Sequence, residues 1–341
     1  MLSTRIVSTV YEVSEEDWNT FAESVPYSSY RWYQYGEAVN RQIGNEPRYA
    51  LVYDGDRLVA RATFWIVRHE DIPITNRLAH LLAQNIIQRW PLVVCRAPLA
   101  SYSGLILPEG TRRQAALEAL IVAGEQIADE AGGSTVMYDY ATVEGVHWGD
   151  EYHPIDWMDP GTQMPIVWET HHDYLRHLKK KRRQDYKRYQ REKEELGLTV
   201  MTYQHVPNPD EAIPLIQNVL DKYSIHDVPY LQAVLKYVGM TESDWLEVRR
   251  DGRLIGCMLM IGDRGVRHLR HLGRDYDYDN IYFLMVDEAI KLAIERDVKL
   301  LRAGAKLYEV KRRRGFTRED PTTAMFTTRL PLLNLLAPYV A

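Results

Sequence analysis

Lysine and arginine dominate one stretch in the middle of the chain, and their spacing is the first indication of chemistry. From Arg176 to Lys193 the sequence holds ten Lys or Arg residues against only Asp185 and Glu192. On a helix, cations three or four residues apart are neighbours, and they repel one another unless an anion offsets their charge. The stripe formed in this way comprises Arg176, Lys180, Arg183, Lys187 and Arg191. This pattern predicts a helix face that binds phosphate; the alternative is a charged face that only contacts solvent.

The two ends of this stretch carry helix-capping signals. Thr170 is a suitable N-cap residue, and Gly197 is well placed just beyond a helix C-terminus. Neither Pro nor Gly interrupts the residues between them, so we predict one long helix. The neighbouring His171 and His172 do not indicate a metal site, because adjacent residues of a helix point about 100° apart.

A short fragment occurs twice in the chain and indicates an internal duplication. The segments Tyr53–Val67 (YDGDRLVARATFWIV) and Arg250–Gly262 (RDGRLIGCMLMIG) each contain an Asp-Gly turn between apolar residues, a strong signal for a β-hairpin. Each is followed by a helical stretch that runs into a strand, Glu125–Ala141 and Ala289–Ala305. We therefore predict two related α/β units. The first copy is longer, and Ile72–Pro98 is the expected insertion.

The order of the predicted elements defines the domains. Each unit is expected to contain a first strand, helices, the hairpin, a further strand, a helix and a closing strand. In the first unit the further strand is predicted within 97–110. A mixed sheet flanked by helices on both faces is the natural packing for that order, which places the chain in the α/β class. The predicted limits are 1–158 for the first domain, 159–197 for a connecting segment with the basic helix, and 198–341 for the second domain.

Length and composition narrow the class of protein. At 341 residues the chain is long enough for two domains. Its net charge of −5 and its pI of about 6.1 argue against a nucleic-acid coat protein or a polybasic membrane binder. Cys95 and Cys257 lie far apart and outside any CxxC pattern, so we predict neither a disulfide framework nor a bound metal. No apolar run is long enough to span a membrane, and we expect a cytoplasmic protein.

Two segments carry a resemblance to a known family. The segment LKKKRRQDYKRYQREKEELG, which ends at Gly197, resembles the basic helix that follows the first domain in the FemABX-like branch of the GNAT acyltransferase superfamily. On that match Lys181, Arg183 and Lys187 fall on the branch's basic positions and are expected to bind phosphate. The segment LRAGAKLYEVKRRRGF resembles the closing strand and following turn of the same branch. Residues matching there in order and spacing are Tyr308, Lys311 and Gly315.

The resemblance implies two tandem GNAT-like domains, each a mixed, mostly antiparallel sheet flanked by helices, joined by a long basic helix. It implies acyl or aminoacyl transfer to an amine, with no tightly bound cofactor and with acyl-CoA or aminoacyl-tRNA as co-substrate. Two departures separate this chain from its relatives. The coiled-coil arm that helps peptidyl transferases of the branch to hold transfer RNA is reduced to a single helix. The glycine-rich pyrophosphate loop of coenzyme-A-dependent enzymes is replaced by HLGRDYDYDNIYF, which has one glycine and three aspartates.

The reaction implied by the resemblance needs few residues. Attack of an amine on an ester or thioester creates an oxyanion, which requires a positive or hydrogen-bonding group nearby. Lys311 falls on the branch's site lysine and is the candidate for that role, with surface exposure as the alternative. Tyr308 is expected to donate a hydrogen bond or to relay a proton. His271 and Asp275, at the end of the fourth strand where a GNAT sheet splays, are the general-base candidates, although a strand histidine is often structural.

Two apolar segments have a functional and a structural interpretation. The aromatic residues Tyr30, Trp32 and Tyr33 either line an acceptor cleft, as the first domain does in the resembling branch, or pack in the core. The stretch 76–90 places apolar side chains on one helical face, which either contacts a membrane or docks on the domain.

Three functions therefore remain open from the sequence. The first is an acyltransferase that uses an acyl-thioester donor and acylates an amine of a small molecule, peptide or lipid-linked acceptor. The second is a Fem-type transferase that depends on aminoacyl-tRNA, with tRNA as a partner of the basic helix. The third is a non-catalytic pair of GNAT-like domains that binds an anionic partner.

Overall fold

The computed structural model describes residues 2–68, 70, 77–141, 144–156, 159–223 and 228–329, with the backbone alone at 77–80, 82 and 83. The chain forms two compact units, which divide at Met158 and again at Asp320. The first 158 residues and the residues after Asp320 belong to one unit, and the residues between belong to the other. Residues 72–76 of the predicted insertion and residues 330–341 of the predicted second domain lie outside the described residues.

The elements of the first unit precede those of the second along the chain. In order, the first unit contains β1 (Leu2–Val7), α1 (Glu15–Phe21), α2 (Tyr30–Gln42), β2 (Glu46–Asp54), β3 (Arg57–Val67), α3 (Arg77–Arg89), β4 (Leu92–Cys95), β5 (Leu105–Ile106), α4 (Arg113–Ala131), β6 (Thr135–Ala141) and β7 (His153–Ile155). The second unit contains β8 (Thr162–Pro165), α5 (His171–His177), α6 (Lys180–Glu195), β9 (Leu198–Tyr203), α7 (Pro209–Leu220), α8 (Val228–Tyr237), β10 (Asp244–Arg250), β11 (Arg253–Asp263), β12 (Val266–Arg274), α9 (Ile281–Glu295), β13 (Leu300–Ala303), α10 (Tyr308–Arg312) and β14 (Thr317–Arg318). The chain then returns to the first unit with β15 (Thr323–Thr328).

The two sheets repeat one topology, which confirms the predicted tandem fold. The first sheet has the order β1-β2-β3-β4-β6-β15-β7, with β5 on the edge of β3, and the second has the order β9-β10-β11-β12-β13-β8-β14. In both, the fourth and fifth strands of this order are parallel and all other neighbours are antiparallel. The two Asp-Gly hairpins, β2–β3 and β10–β11, therefore occupy the same position in each sheet.

The sixth strand of each sheet comes from the other half of the sequence. Strand β8 follows the first repeat but pairs with β13, and β15 follows the second repeat but pairs with β6. The observed units consequently differ from the predicted limits. The segment predicted as a separate connection, 159–197, belongs to the second unit, and the described residues after Asp320 belong to the first. This exchange has no signature in a linear pattern, because it depends on which sheet has an open edge.

Part of the predicted insertion is a central strand. Strand β4 lies between β3 and β6, and Val93, Val94 and Cys95 are almost completely buried. A short apolar run without alternation is typical of a strand that is covered on both faces. Within 97–110, where a strand was predicted, only the two residues of β5 are extended in a sheet.

Each unit has its own core between its sheet and one long helix. In the first, α4 buries Leu117, Leu120 and Ile127 against the sheet, and in the second, α9 buries Met285 and Ile290 in the same way. These helices connect the parallel strands of each sheet, as a crossover between parallel strands requires.

The predicted basic helix is broken into two. The N-cap is as predicted, since the hydroxyl of Thr170 accepts a hydrogen bond from the Asp173 N–H, and Gly197 follows the end of α6 with φ +63°. At Leu178 the backbone is extended, with ψ 148°. The side chain of Leu178 packs against the core of the second unit. The prediction of one uninterrupted helix was therefore wrong at this point, because burial of one apolar residue outweighs continuation of a polar helix.

Candidate functional site

The candidate site lies in the second unit, where the parallel strands β12 and β13 cease to run side by side. Their last paired residues are Leu269 and Ala303. Between Cys257 and Leu259 the register of β11 with β12 shifts by one residue, and His271 in β12 has φ +46°. Such a bulge bends a strand and disrupts its pairing locally, and here it follows Leu269, the last residue of β12 that pairs with β13. It therefore falls where the sheet opens.

A cavity of about 500 Å³ occupies this opening, a size suited to a small-molecule group. Its apolar lining comes from the sheet and from α9 and includes Met258, Leu269, Leu272, Phe283, Val286 and Ala303. Its polar lining is mainly cationic and aromatic and includes Lys222, Tyr223, Arg274, Tyr276, Lys306 and Lys311. Asp279 is the one carboxylate among the lining residues that the structure describes.

Lys311 is the buried cation of this cavity. It lies on α10 and is only 8% exposed. Its Nζ donates a hydrogen bond to the carbonyl oxygen of Gly304 and a longer one, at 3.5 Å, to that of Ala305. Burial lowers the pKa of Lys311 to about 8, although the charge of Glu319 acts in the opposite direction. The side chain is therefore mostly an ammonium at neutral pH, with a proton that it holds less firmly than an exposed lysine.

The loop between β13 and α10 is held in a strained conformation at the cavity. Lys306 and Leu307 have φ +74° and +50°, values that non-glycine residues rarely adopt and that cost about 1 kcal/mol or more each. Lys306 Nζ lies 2.7 Å from Asp159 Oδ2. The hydroxyl of Tyr308 donates a hydrogen bond of 2.6 Å to the carbonyl oxygen of Pro160. These two contacts fix the loop to the start of the second unit.

Tyr308, His271 and Asp275 do not line the cavity with Lys311. The Tyr308 hydroxyl donates its hydrogen bond to the carbonyl oxygen of Pro160, and the Arg318 guanidinium lies 4.2 Å from the centre of the Tyr308 ring. The His271 ring lies 6.2 Å from that of Tyr230, and burial together with the charge of Arg270 lowers its pKa to about 3. A histidine with that pKa is a weak base.

The carboxylate of Asp275 is also engaged elsewhere. It accepts hydrogen bonds from Arg253 Nη2 at 2.7 Å and from the backbone N–H of Asp277 at 3.0 Å. Asp275 is buried, and these contacts join the start of β11 to the end of β12. Of the four residues that the sequence analysis placed in a catalytic role, the structure thus brings only Lys311 to the cavity.

The three basic residues predicted to bind phosphate differ in their surroundings. Arg183 Nη1 donates hydrogen bonds to the carbonyl oxygens of Arg176, at 3.3 Å, and Leu178, so it caps the end of α5. Lys181 and Lys187 are exposed, and within the described parts of the chain no carboxylate lies within ion-pair distance of either. These two lysines are therefore the ones available to an external anion.

The aromatic residues Tyr30, Trp32 and Tyr33 lie on α2 and are buried in the first unit. The indole N–H of Trp32 donates a hydrogen bond of 2.8 Å to the carbonyl oxygen of Pro98. The ring of Tyr33 lies 4.8 Å from that of Trp18. This burial fits the interpretation of these residues as core packing.

In the first unit, the corresponding end of the parallel pair β4–β6 holds a buried carboxylate in place of a cavity lysine. Asp139 is fully buried, and its Oδ2 lies 3.6 Å from Arg96 Nη1. Burial raises the pKa of Asp139 to about 6 despite the attraction of Arg96. Arg96 itself pairs with Glu70, whose Oε1 accepts a hydrogen bond of 3.1 Å. The residue just beyond the parallel pair is thus a buried aspartate in the first unit and Gly304 in the second.

The sequence comparisons were decisive for the family. A sequence model of the FemAB-like family, described as peptidoglycan biosynthesis/recognition, matches residues 9–341. The chain belongs to the FemAB-like family. The resemblance predicted from the two basic segments is confirmed. No curated protein sequence matches the chain.

Solved structures support the same fold for this FemAB-like chain. A crystal structure of FemX is 10% identical over 98% of this chain and 100% of FemX, with a TM-score of 0.65. A tandem GNAT protein from the clavulanic acid biosynthesis pathway is 13% identical over 97% of this chain and 99% of that protein, with a TM-score of 0.55. A protein of unknown function from Bacteroides thetaiotaomicron covers 96% of this chain and 99% of its own length at 9% identity, with a TM-score of 0.55.

Two further features of this FemAB-like chain concern metal binding and membrane spanning. The parts of the chain described here contain no cluster of His, Cys, Asp or Glu that could hold a metal ion. Among the same residues, no helix is long and apolar enough to cross a membrane. The predicted contact of 76–90 with a membrane surface stays a prediction; Leu81, Ile86 and Trp90 are about half exposed, and Asn76 lies outside the described residues.

Several residues of the cavity were missed by sequence reasoning. Lys222 precedes the hairpin and Arg274 ends β12, yet both line the same cavity with Tyr276. The position of Arg274 at the end of a predicted strand is only a weak indication that this residue lines a site. Nothing in the spacing of Lys222 indicates that α7 brings it to this strand end.

Proposed function

We propose that this FemAB-like protein is an N-acyltransferase that transfers an acyl group from an acyl-thioester donor to an amine. The acceptor amine belongs to a small molecule, a peptide or a lipid-linked precursor, and the family description favours a precursor of peptidoglycan type. The observation that supports the proposal most directly is the buried ammonium of Lys311 in a cavity where parallel strands diverge.

The chemistry follows from that position. The nitrogen of the acceptor attacks the carbonyl carbon of the donor, and the carbonyl oxygen gains negative charge. The Lys311 ammonium, which otherwise donates to the carbonyl oxygen of Gly304, stabilises that oxyanion. The carbon–sulfur bond then breaks, the sulfur leaves as thiolate, and the proton lost by the amine protonates it through solvent. An amide and a free thiol are the products.

The lining of the cavity favours a thioester of a neutral acyl group. An aminoacyl group carries an α-ammonium, which requires acceptor groups and is repelled by nearby cations. Four cations line the described cavity, against the single carboxylate of Asp279. The apolar wall, which includes Met258, Leu269 and Leu272, suits an uncharged acyl chain.

A second candidate is transfer from aminoacyl-tRNA, as in Fem-type enzymes. The exposed side chains of Lys181 and Lys187 on α6 favour it, because exposed cations on one helix are suited to a nucleic-acid backbone. The start of α9 favours it as well. Asp277 and Asp279 precede that helix where a coenzyme-A enzyme has its pyrophosphate loop, and carboxylates there repel phosphate.

Native mass spectrometry of the purified chain, followed by a transfer assay, tests the proposal. We expect a retained coenzyme-A thioester, or capture of added acyl-CoA, and formation of a new amide when an acceptor amine is added. Matched reactions contain acyl-CoA or aminoacylated tRNA, each with the same acceptor panel. Amide formation from acyl-CoA alone supports the first candidate.

Turnover that requires aminoacyl-tRNA would replace the thioester proposal with the second candidate. Binding of an anionic partner without turnover from either donor would instead indicate the third function that the sequence leaves open, a GNAT-like binding protein. A Lys311→Met chain serves as the control for chemistry at the cavity, since transfer that is unaffected by this change must occur elsewhere.

A further inference from the structure

The start of α9 in the second unit is unsuited to a phosphate group. Its N-cap residue, Asn280, makes no capping hydrogen bond with its side chain, which instead donates to Glu192 Oε2 at 2.8 Å. Asp277 and Asp279 are exposed just before the helix. Three carboxylates thus surround the helix end that would otherwise attract an anion. A phosphate-bearing substrate of the cavity requires a different contact.

Two other cations of the cavity lie against one exposed ring. Lys222 Nζ lies 3.6 Å from the centre of the Tyr276 ring, and Arg274 Cζ lies 4.3 Å from the same point. Tyr276 is 36% exposed, and its hydroxyl donates a hydrogen bond of 3.5 Å to the carbonyl oxygen of Asn218. The ring is therefore an anchored platform at the edge of the cavity, with both cations in cation–π contact.

Neither cation has a carboxylate partner among the residues that the structure describes. The other two cations of the cavity are engaged: Lys306 pairs with Asp159, and Lys311 donates to backbone carbonyl oxygens. The cationic groups of Lys222 and Arg274 lie within about 8 Å of each other, because each is close to the centre of one ring. Like charges this close repel unless an anion lies between them.

The upper limit of about 8 Å on this separation is compatible with one bridging phosphate group. Charge-assisted hydrogen bonds of about 2.8 Å to two oxygens of the same phosphate can reach cations up to that far apart. A guanidinium and an ammonium are the two side chains that bind phosphate most often, the first through paired N–H groups and the second as a point charge. Both line the cavity that also contains Lys311.

We propose that Lys222, Arg274 and Tyr276 form the phosphate subsite for a nucleotide-linked substrate of the Lys311 cavity, in place of the N-terminus of α9. This inference rests on the proposed function, since it assigns the phosphates of the substrate that the cavity receives. The same chemistry is supplied by the diphosphate of coenzyme A and by the phosphodiester of a tRNA acceptor end.

Calorimetric titration of the full chain tests the subsite with coenzyme A and with pantetheine, which has no phosphate. We expect wild type to bind coenzyme A more tightly than pantetheine. The variant Lys222→Gln/Arg274→Gln is expected to raise the Kd for coenzyme A about 10-fold or more, and to leave the Kd for pantetheine unchanged. The wild-type advantage for coenzyme A should also shrink in high salt.

Two variants serve as controls. Lys236→Gln/Lys291→Gln removes the same charge from the second unit at residues outside the cavity, where Lys236 lies 4.7 Å from the Tyr237 ring and Lys291 pairs with Glu295. It should bind coenzyme A as wild type does. The exchange Lys222→Arg/Arg274→Lys keeps both charges and should retain most of the affinity, which separates a phosphate contact from loss of folding.

A parallel titration with an RNA hairpin that ends in CCA distinguishes the source of the phosphate. Tighter binding of the hairpin than of coenzyme A, lost in Lys222→Gln/Arg274→Gln, would support the subsite and identify tRNA as its ligand. Unchanged affinity of that variant for both ligands, or no binding of either to wild type, would overturn the subsite. Failure of the subsite is separable from failure of the proposed function, because the proposed function is tested by whether Lys311→Met lowers the rate of transfer.

Discussion

The Nζ of Lys311 donates a hydrogen bond to the backbone carbonyl oxygen of Gly304, seven residues earlier and just beyond the end of β13. This contact holds a buried ammonium at the point where β12 and β13 separate. It also provides the group with a partner when no substrate is bound, which offsets part of the cost of its burial.

Replacement of Lys311 by Met should lower turnover about 100- to 1,000-fold, because a site loses on the order of that factor when one oxyanion donor is removed. The affinity for the donor should change much less, since the ammonium acts mainly in the transition state. Steady-state kinetics with the true substrates measure both. Lys291→Met is the matched control, because Lys291 pairs with Glu295 and lies outside the cavity. Near-normal turnover of Lys311→Met would contradict the assignment.

The pH dependence of turnover should reflect the lowered pKa of Lys311, about 8. The ammonium is the stabilising form, so activity that depends on it should be present below that pKa and should decline as the pH rises through about 8. The acceptor amine ionises in the same range, and its effect is common to all variants. In Lys311→Arg the side chain stays charged, so any activity retained should lack the decline. A wild-type profile that rises steadily above pH 8 would argue against an ammonium role.

Replacing Lys181 and Lys187 together by Gln tests the basic helix. If α6 contacts a nucleic-acid backbone, binding of tRNA should weaken. The slope of log K against log salt concentration should also become less negative, by about 1.4 to 1.8 for two lost contacts. Arg183 is left in place because it caps α5. Arg188→Gln/Lys193→Gln on the same helix removes cations that already pair with Asp185 and Glu288, and it should have a smaller effect. Equal slopes for wild type and both variants would indicate that the basic face of α6 contacts only solvent.

Breaking the buried ion pair of Asp287 and Arg314 should destabilise the second unit. Arg314 Nε lies 2.9 Å from Asp287 Oδ1, and both side chains are more than nine-tenths buried. Arg314→Met would leave a carboxylate buried without its cation, which typically costs about 3 to 5 kcal/mol in the free energy of unfolding. Addition of Asp287→Asn should restore much of the loss in denaturant unfolding. Arg312→Met, which breaks the exposed pair with Glu309, should change stability little.

Asp139 should make the stability of the first unit depend on pH. Its folded-state pKa is raised to about 6, above the value of an unfolded chain, so the folded state binds more protons between those pH values. Wild-type stability should therefore fall as the pH rises from about 4 to about 6, by on the order of 2 to 3 kcal/mol. Asp139→Asn should be more stable than wild type at pH 7, and the two should converge near pH 4. Thermal unfolding across this range measures the effect, with the exposed Asp150→Asn as control. A constant difference at all pH values would exclude titration of Asp139 as its cause.

The sequence by itself determined the two hairpins and the repetition of the pattern around them. The Asp-Gly turns at Asp54 and Asp251 define hairpins because the turn chemistry is local, and the apolar patterns around them define buried strands. Thr170 and Gly197 marked the ends of the basic segment for the same reason. The position of Lys311 just beyond the closing strand could also be inferred, because strand order and the short connection after β13 leave little freedom.

Only the tertiary structure decided the features that depend on residues far apart in the sequence. The exchange of β8 and β15 is decided by which sheet edge is open, and the break at Leu178 is decided by a core that accepts its side chain. The same holds within the site. Asp275 pairs with Arg253, whereas Lys222 and Arg274 meet at Tyr276, although 52 residues separate the two cations in the sequence. Local patterns carry no information on such partners, because burial and charge pairing are determined only when the chain is folded.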